Sequence, residues 1–292
     1  MSALRLAVVI ATLGRPTVVA ALLSRLEQQT RRPDRVVVVV VSKDDAPAQL
    51  PVAYPCAVLT SPTKGSCAQR NFGIDALAGS ADVVLFLDDD FVPAHDFGAR
   101  LVDLFERRPD VVGATGRVLI DGATGPGFGF DEAVRVVDAA QAANYAVGAV
   151  RSLYGCNMAF RMSAVGDARF DERLPLYGWL EDVDFSRRIG VKGLLVRDES
   201  LRGAHLGAKG GRTSGVRFGY SQVANPVYLL QQRTISLPQA LNNLARTLLA
   251  NHVKVVAPEP WIDRKGRVRG NWMAIADIVR GKARPERILE IE

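Results

Sequence analysis

Three consecutive aspartates form the densest group of chemically capable side chains in this sequence. They occupy positions 88–90 in the stretch LFLDDDFVP, directly after a hydrophobic run typical of a buried strand. Adjacent carboxylates repel one another unless a cation shares their space. A divalent ion such as Mg²⁺ or Mn²⁺ prefers oxygen ligands and meets this need. A solvated acidic turn is the alternative, and the hydrophobic strand before the aspartates favours the metal.

The extended backbone predicted for these aspartates places them on alternate faces of the strand. Alternate residues of a strand point the same way, so Asp88 and Asp90 share one face and Asp89 lies on the other. Ligands of open parallel α/β sheets bind beyond the C-terminal ends of the strands, where these residues stand. We therefore predict that Asp90 is a metal ligand.

A second acidic cluster, Glu181, Asp182 and Asp184, opens the segment WLEDVDFSRRIG. The segment has helical spacing and ends at Gly190, which places the carboxylates in the first turn of a predicted helix. Acidic residues in a first turn interact favourably with the helix dipole and need no catalytic role. Spacing alone leaves both interpretations open.

Strands and helices that alternate over the first 110 or so residues must position the three aspartates. Strand-like runs include LRLAVVIAT, RVVVVVVS and ADVVLFL, and helix-like runs such as TVVAALLSRLEQQT lie between them. This alternation predicts an α/β fold with a parallel sheet and helices on both faces. Farther along, 220–252 and 271–281 are predicted to be helical, with the proline-containing stretch 255–270 between them.

The composition is that of a globular protein with one large or two small domains. Of 292 residues, 48% are hydrophobic and 23% are charged. The cysteines Cys56, Cys67 and Cys156 are odd in number and lack paired metal spacing. They predict a reducing, intracellular setting and argue against a zinc site. We predict neither a signal peptide nor a membrane span, because the apolar runs are too short.

The net charge of +6 is concentrated near the C-terminus. Residues 1–216 contain 25 basic and 25 acidic residues, whereas 217–292 contain 12 and 6. This asymmetry indicates an anionic partner or a solvated helical face. Nucleic acid is disfavoured, because 1–216 is neutral and has no stacking aromatics among basic residues. The helices of 217–292 either only pack on the preceding domain or also attach peripherally to an anionic membrane.

Several motifs, in their order along the chain, resemble glycosyltransferase family 2, an inverting family with the GT-A fold. FLDDD resembles the DxD motif of that family, and WLEDVDFSRR resembles its E-D-x-D motif, which carries the catalytic base. KGSCAQRNFGI resembles a segment that usually reads G-x-x-x-x-R-N-x-G, and VVIATLGRP resembles the opening strand and turn. The resemblance covers about 1–215. One departure is VVSKDDAP, where the family usually has a D-x-S-x-D turn.

The resemblance implies a fold, a domain organisation and a reaction. The fold is a Rossmann-like GT-A domain over 1–216, with a nucleotide-sugar half (1–90) and an acceptor half (91–216), followed by a basic helical extension (217–292). The reaction is inverting transfer of a sugar from a nucleoside-diphosphate sugar to a saccharide or lipid-linked acceptor, with Mn²⁺ or Mg²⁺ as cofactor. The expected role is assembly of surface polysaccharide or glycolipid, in the cytoplasm or on the inner membrane face.

The resemblance also assigns roles to residues of the acidic clusters. Asp182 is expected to be the general base, because the attacking hydroxyl must lose a proton, and Glu181 is expected to orient the acceptor. Trp179 either stacks on an acceptor sugar or belongs to the core. His205, a surface or core residue on its own, is expected to join Asp88 and Asp90 as a metal ligand.

Basic and polar residues near the predicted strand ends are expected to bind the donor. The segment GAKGGRTSG is either a plain linker or a lid that closes over the diphosphate. The expected donor contacts are Thr12, Arg15, Asp44, Lys64, Arg70, Asp88, Asp89, Lys209 and Arg212.

Two other functions are compatible with a parallel α/β domain that has acidic strand ends. A nucleotidyltransferase usually has a Gly-rich, basic loop after the first strand, whereas ATLGRPT contains a single glycine. A non-catalytic nucleotide-sugar-binding protein would have lost its catalytic residues, whereas both acidic clusters are present here.

Overall fold

A computed structural model of the chain describes residues 3–50, 52–140, 146–211 and 213–291. The chain divides into two compact units. Unit 1 comprises Met1–Thr63, Ala68–Arg169 and Phe185–Gly211, and unit 2 comprises Lys64–Cys67, Phe170–Asp184 and Arg212–Glu292. The domains predicted over 1–216 and 217–292 stay predictions.

Strands of the described residues form one nine-stranded sheet in the order β3-β2-β1-β4-β8-β6-β9-β5, with β7 also paired to β9. The first four strands of this order are mutually parallel, as the alternating pattern predicts. The second half is mixed, because β8 is antiparallel to both of its neighbours. The strands are β1 (Leu6–Ala11), β2 (Arg35–Val40), β3 (Cys56–Thr60), β4 (Val83–Asp88), β5 (Phe91–Pro93), β6 (Val111–Asp121), β7 (Val147–Ala149), β8 (Asn157–Arg161) and β9 (Leu194–His205).

Helices connect these strands and dominate the C-terminal quarter. Among the described helices, none has the length and apolar character needed to span a bilayer. They are α1 (Pro16–Glu27), α2 (Ser66–Ala76), α3 (Phe97–Arg107), α4 (Phe130–Ala139), α5 (Met162–Val165), α6 (Glu181–Gly190), α7 (Gly215–Gln231), α8 (Leu237–Lys254) and α9 (Arg264–Val279).

In β1, β2 and β4 of unit 1, polar side chains stand only at the strand termini. Residues 36–40 of β2 are completely buried, and β1 beside it and β4 beyond β1 are buried over nearly their whole length. Strands covered on both faces tolerate no charge in their interior, which explains the unbroken apolar runs. Polar residues therefore stand at the termini of these strands: Arg35 begins β2, and Thr12, Ser42 and Asp88 lie at or just beyond the C-terminal ends.

The prediction that 255–270 separates two helices is wrong for its second half, because α9 begins at Arg264. Glycine at 266 and 270 gave that stretch the character of a loop. A Cβ at Gly270 would lie 2.0 Å from the carbonyl oxygen of Val216 and 2.6 Å from the backbone nitrogen of Tyr220. Gly270 therefore allows α9 to approach the backbone of α7, and it does not interrupt the helix.

The range 220–252, predicted to be helical, contains two helices, because α7 ends at Gln231 and α8 begins at Leu237. The chain turns after α7 at Arg233, which has a left-handed backbone with φ of 61°. Pro238 then lies in the first turn of α8. Proline suits that position, because the backbone nitrogens of a first turn have no partner within the helix.

Gly203 in β9 makes room for the side chain that follows the three aspartates. A Cβ at Gly203 would lie 2.1 Å from the ring of Phe91, which is fully buried. We expect Gly203→Ala to lower the free energy of unfolding by about 1–3 kcal/mol, measured by urea denaturation. Gly148→Ala in β7 is the control, since no atom lies within 4 Å of its Cβ. Equal effects of the two substitutions would contradict this account.

Candidate active site

Asp88, Asp90 and His205 form a group whose geometry suits a metal ion. One ligand atom from each of the three side chains lies within 4.8 Å of the others. His205 Nε2 is 3.3 Å from Asp90 Oδ1 and 3.9 Å from Asp88 Oδ2. Asp88 ends β4 and His205 ends β9, while Asp90 lies between β4 and β5. The structure thus brings together the three residues that the sequence suggested as metal ligands.

The pairing of β9 with two other strands produces this group. Phe91 of β5 is opposite His205, so the preceding residue, Asp90, lies beside the imidazole. On the other side of β9, Asp121 at the end of β6 is also opposite His205. The group therefore depends on the register of strands that are distant in sequence.

Asp121 and Tyr154 orient the imidazole, and neither was identified from the sequence. Asp121 Oδ1 is 2.9 Å from His205 Nδ1, and Asp121 Oδ2 accepts a hydrogen bond of 2.8 Å from the hydroxyl of Tyr154. A carboxylate bound to one ring nitrogen fixes the direction of the other. The signal in the sequence was an aspartate that ends the strand-like run VVGATGRVLID.

Asp89 contacts a different set of residues from its two neighbours. Its Oδ2 accepts a hydrogen bond of 2.6 Å from Thr12 Oγ1 and lies 3.1 Å from Arg15 Nε. Arg15 also reaches Asp90, with 3.5 Å between Nη1 and Oδ2. Burial raises the pKa of Asp89 to about 7, against the opposing effects of Arg15 and Thr12. Asp89 thereby links the turn after β4 to the turn after β1.

The electrostatics of the group show that it favours positive charge. Burial alone would lower the pKa of His205, but contacts with Asp121 and Asp90 raise it to about 10. Burial alone would raise the pKa of Asp90, yet His205, Arg15 and the Ala208 N–H hold it below its usual value. The cationic form of His205 is therefore stable among these carboxylates, as expected where adjacent aspartates need a cation.

Two further residues predicted to bind the donor lie at this group. Arg70 is buried, and its Nη2 donates a hydrogen bond of 3.0 Å to Asp88 Oδ1. Lys209 Nζ donates to the carbonyl of Gly122 at 3.0 Å, beside the bond of 2.7 Å from the Ala208 N–H to Asp90. The start of the segment GAKGGRTSG is thus attached to the aspartates, and its role as a lid stays a prediction. Arg212, in the same segment, lies outside the described residues.

Asp44 and Lys64 are both exposed. Beside Asp44, the buried Asp45 accepts hydrogen bonds from the N–H groups of Gly14, at 2.6 Å, and Ser42, at 2.8 Å. Asp45 thus joins the end of β2 to the turn after β1. Lys64 belongs to unit 2.

The residues predicted to act in catalysis and acceptor binding belong to unit 2. Glu181 is the first residue of α6 and is buried. Asp182 is half-buried, and its Oδ1 accepts a hydrogen bond of 2.8 Å from the N–H of Val183. Asp184, two positions after Asp182, is buried. The structure therefore leaves part of Asp182 accessible while it covers the other two carboxylates.

The segment before α6 presents aromatic side chains on a strained backbone. The rings of Tyr177 and Trp179 lie within 20° of parallel at 6.5 Å, and Tyr177 is 54% exposed. Leu176 and Leu180, on either side, have left-handed backbones with φ of 59° and 73°. Asn225 Nδ2 holds the carbonyl of Trp179 at 2.8 Å. Strain of this kind in residues other than glycine is concentrated at functional sites.

The sequence profile of glycosyl transferase family 2 matches residues 7–166, more than half of the chain. The chain belongs to glycosyl transferase family 2. The predicted family is therefore confirmed, and with it the prediction that the chain is a glycosyltransferase. Membership of family 2 disfavours the nucleotidyltransferase.

Solved structures confirm the GT-A fold predicted for this family 2 member. A mannosyltransferase of Pyrobaculum calidifontis, PcManGT, superposes with a TM-score of 0.54 at 15% identity over 100% of this chain and 89% of its own. S. aureus TarS 1–349 gives 0.52 at 14% identity over 97% and 82%. GalNAc-T7 gives 0.58 at 15% identity over 96% and 59%. Such identities show the fold alone.

The relatives differ from this chain in length. The chain spans 44% of a longer TarS structure, with a TM-score of 0.52. No curated protein sequence matches the chain.

Proposed function

We propose that this family 2 member catalyses metal-dependent, inverting transfer of a sugar from a nucleoside-diphosphate sugar to an acceptor hydroxyl. The observation that carries the proposal is the group formed by Asp88, Asp90 and His205 at the strand ends of unit 1. A plain acidic turn would not place a buried histidine between two aspartates and fix its ring with a third carboxylate.

The chemistry of the group fits Mn²⁺ or Mg²⁺. Carboxylate oxygens suit both ions, and an imidazole nitrogen suits Mn²⁺ in particular. Three carboxylates, those of Asp88, Asp90 and Asp121, lie within 4 Å of the His205 ring nitrogens and favour a cation at this place. When bound, a divalent ion supplies a positive charge that stabilises the diphosphate leaving group. PcManGT was solved with GDP-Man and Mn²⁺, and GalNAc-T7 with UDP, GalNAc and Mn²⁺, which supports this choice.

The neighbouring residues of unit 1 divide into those that bind the donor and those that hold the site. The Asp88 side chain is 34% exposed and is therefore accessible to a ligand, whereas that of Asp89 is fully covered. We assign Asp88 to the donor as well as to the metal. Asp89 and Thr12, hydrogen-bonded to each other, join the turn after β4 to the turn after β1. Arg15, whose side chain is 22% exposed, is placed to balance the charge of a diphosphate.

The remaining donor contacts are proposed on the family resemblance. Arg70 belongs to the R-N-x-G motif and is bonded to Asp88. Lys209 and Arg212 belong to the segment proposed to cover the diphosphate. Asp44 and Lys64, both exposed, are proposed to contact the nucleoside and the diphosphate of the donor.

Asp182 is proposed as the general base. In an inverting transfer, the acceptor oxygen forms a bond to the anomeric carbon while the bond from that carbon to the diphosphate oxygen breaks. The hydroxyl proton passes to a carboxylate, and Asp182 occupies the matching position of the family's E-D-x-D motif. Its partial exposure supports this role. Glu181, covered beside it, orients the acceptor.

The aromatic segment before α6 is proposed to bind the acceptor. Trp179 packs against Phe218 with 5.4 Å between ring centroids, so its position is fixed. Tyr177 is more than half exposed and offers an aromatic face to a sugar ring. An acceptor of saccharide or lipid-linked type suits such a surface, because the apolar faces of sugars stack on aromatic rings.

The proposed setting is the cytoplasm, at the inner face of the membrane, in assembly of surface polysaccharide or glycolipid. The three cysteines are free, which agrees with a reducing compartment. Residues 217–292 contain twice as many basic as acidic residues, which supports contact with an anionic membrane. Lipid-linked acceptors lie at such a surface.

Release of nucleoside diphosphate from a panel of nucleoside-diphosphate sugars, with Mn²⁺, Mg²⁺ or EDTA, tests the proposed reaction. We expect turnover of at least one donor with a metal and none with EDTA. The anomeric configuration of the product, read by NMR, tests inversion. Turnover that EDTA does not change would exclude metal dependence, and retention of configuration would exclude the inverting mechanism.

Loss of the carboxylate that orients His205 is expected to weaken metal binding. We expect Asp121→Asn to raise the dissociation constant for Mn²⁺ by about 10–100-fold, because the imidazole is no longer held by a charged partner. Titration calorimetry with Mn²⁺ measures the effect. Asp103→Asn on α3 removes an exposed carboxylate of the same unit and should leave the constant unchanged. An unchanged constant in Asp121→Asn would contradict the orienting role.

A further inference from the structure

Helix α8 leaves a row of large apolar side chains uncovered. Leu237, Leu241, Leu249 and Val253 recur at intervals of four or eight residues along α8 and are 54–67% exposed. Side chains four residues apart are neighbours on a helix surface, so these four follow a row that winds part of the way around α8. Ala240 and Asn251, outside this row, are the residues of α8 that are buried within unit 2. The row is thus a continuous apolar strip, the kind of feature that marks an interaction surface.

Helix α9 extends this strip with an aromatic ring and two basic side chains. The ring of Trp272, 59% exposed, lies 5.8 Å from that of His252 on α8, centroid to centroid. Lys265 and Arg269 precede Trp272 by seven and three residues on α9, so they share its face. Both are exposed, and in the described part of the chain neither side chain forms an ion pair or hydrogen bond. We call Leu241, Leu249, Val253, Lys265, Arg269 and Trp272 the α8–α9 face.

The acidic side chains of this quarter are already engaged within unit 2. Each one described from 213 to 291 contacts a cation, a hydroxyl or a backbone N–H. The positive charge of the α8–α9 face is therefore not neutralised by its own neighbours. The contacts are Glu259 with Lys254 and Arg264, Asp263 with the Gly266 N–H, Asp277 with Tyr220 and Arg287, Glu286 with Arg173, and Glu290 with Arg284 and Arg287.

We propose that the α8–α9 face is a docking surface for an anionic lipid bilayer, in whose headgroup region α8 and α9 lie flat. Leucine, valine and tryptophan side chains enter the boundary of the acyl chains, while lysine and arginine meet the headgroups. The inference rests on the membrane contact of the proposed function and names its surface. It does not depend on which sugar the enzyme transfers.

A second copy of the chain fits this face less well than an anionic surface. Two-fold symmetric association places the same patch of both copies against itself. Lys265 and Arg269 of one copy would then approach the same cations of the other, and the described acidic residues of this quarter have partners already. A bilayer with acidic lipids supplies both the apolar interior and the negative charge that the face requires.

Co-sedimentation of the full chain with vesicles tests the proposal. Phosphatidylcholine vesicles are compared with vesicles that also contain phosphatidylglycerol, at low salt. We expect binding to the mixed vesicles only, and weaker binding as salt rises. Lys265→Gln/Arg269→Gln should weaken binding about 25-fold, at about fivefold per charge. Leu249→Ser/Val253→Ser should weaken it about tenfold or more, because apolar contact is lost.

Matched variants in unit 1 distinguish binding through the α8–α9 face from non-specific binding to vesicles. Lys43→Gln/Arg135→Gln removes the same charge, and Val191→Ser/Val147→Ser removes exposed apolar groups. Both should bind vesicles as the parent does. The charge variant alters only exposed side chains, so thermal unfolding should show an intact fold.

Three results would overturn the proposal. The first is absence of binding to mixed vesicles at low salt, and the second is equal loss in face and control variants. The third is a dimer in light scattering that Leu249→Ser/Val253→Ser abolishes, without vesicle binding, which would make the face a self-association surface. Release of nucleoside diphosphate in solution, without vesicles, should be the same in all these variants. A failure of sugar transfer is thus recognised separately.

Discussion

Asp90→Asn is expected to abolish metal-dependent turnover, with a loss of about 10³-fold or more in kcat/KM. Asp90 is almost fully covered, lies 3.3 Å from His205 and faces the same space as Asp88. A carboxamide lacks the negative charge that a divalent ion requires, and such an ion supplies several kcal/mol to the transition state. At about 1.4 kcal/mol per tenfold change, that loss corresponds to the stated factor. Donor turnover across a Mn²⁺ titration measures it.

Asp89→Asn is the matched control, because it removes a carboxylate one residue away. Asp89 is bonded to Thr12 and Arg15 and is not part of the group with His205. We expect its affinity for Mn²⁺, measured by calorimetry, to stay close to that of the parent protein. Asp90→Asn should bind Mn²⁺ at least 100-fold more weakly. Equal losses would mean that total negative charge, and not ligation by Asp90, governs metal binding. In Asp90→Asn, the asparagine retains an oxygen that accepts the hydrogen bond of the Ala208 N–H. The unfolding temperature of this variant should therefore show an intact fold.

The second large effect is expected at Asp182. Asp182→Asn should lower kcat by about 10²–10⁴-fold, because no carboxylate then receives the proton of the acceptor hydroxyl. The dissociation constant of the donor with Mn²⁺ should be unchanged, since the substitution leaves donor binding intact. Single-turnover transfer measures the first quantity, and the thermal shift produced by nucleoside diphosphate with Mn²⁺ measures the second. The asparagine oxygen can still accept the hydrogen bond from Val183.

Asp184→Asn, in the same turn of α6, provides the contrast. Asp184 is 3% exposed, which agrees with a structural role. We expect a lower unfolding temperature with most of kcat retained. If Asp182→Asn retains full kcat, or loses donor binding in proportion to kcat, the general-base assignment is wrong. If Asp184→Asn abolishes turnover while its unfolding temperature is unchanged, then Asp184, and not Asp182, is the general base.

The parallel strands of the first half of the sheet and the position of the acidic ends could be read from local patterns, whereas the antiparallel strands of the second half could not. The run RVVVVV is a buried strand because every residue in it is apolar, and the carboxylates after LFL mark the end of the next strand. Family 2 could also be identified from local sequence, because each of its motifs is short and the motifs occur in the expected order along the chain. The start of α9 was missed, because Gly270 serves a contact between helices that local sequence does not reveal.

By itself, the sequence determined the α/β class, the family, the acidic strand end and the names of the predicted metal ligands. Only the tertiary structure decided that Asp121 and Tyr154 lie beside His205, that Asp89 is hydrogen-bonded to Thr12, and that α8 leaves an apolar row uncovered. The physical reason lies in the range of the interactions. Hydrophobic periodicity and turn chemistry act between neighbours in the chain, whereas strand register and helix packing join residues far apart. His205 and Asp121 are 84 positions apart, and only the pairing of β6 with β9 brings them together.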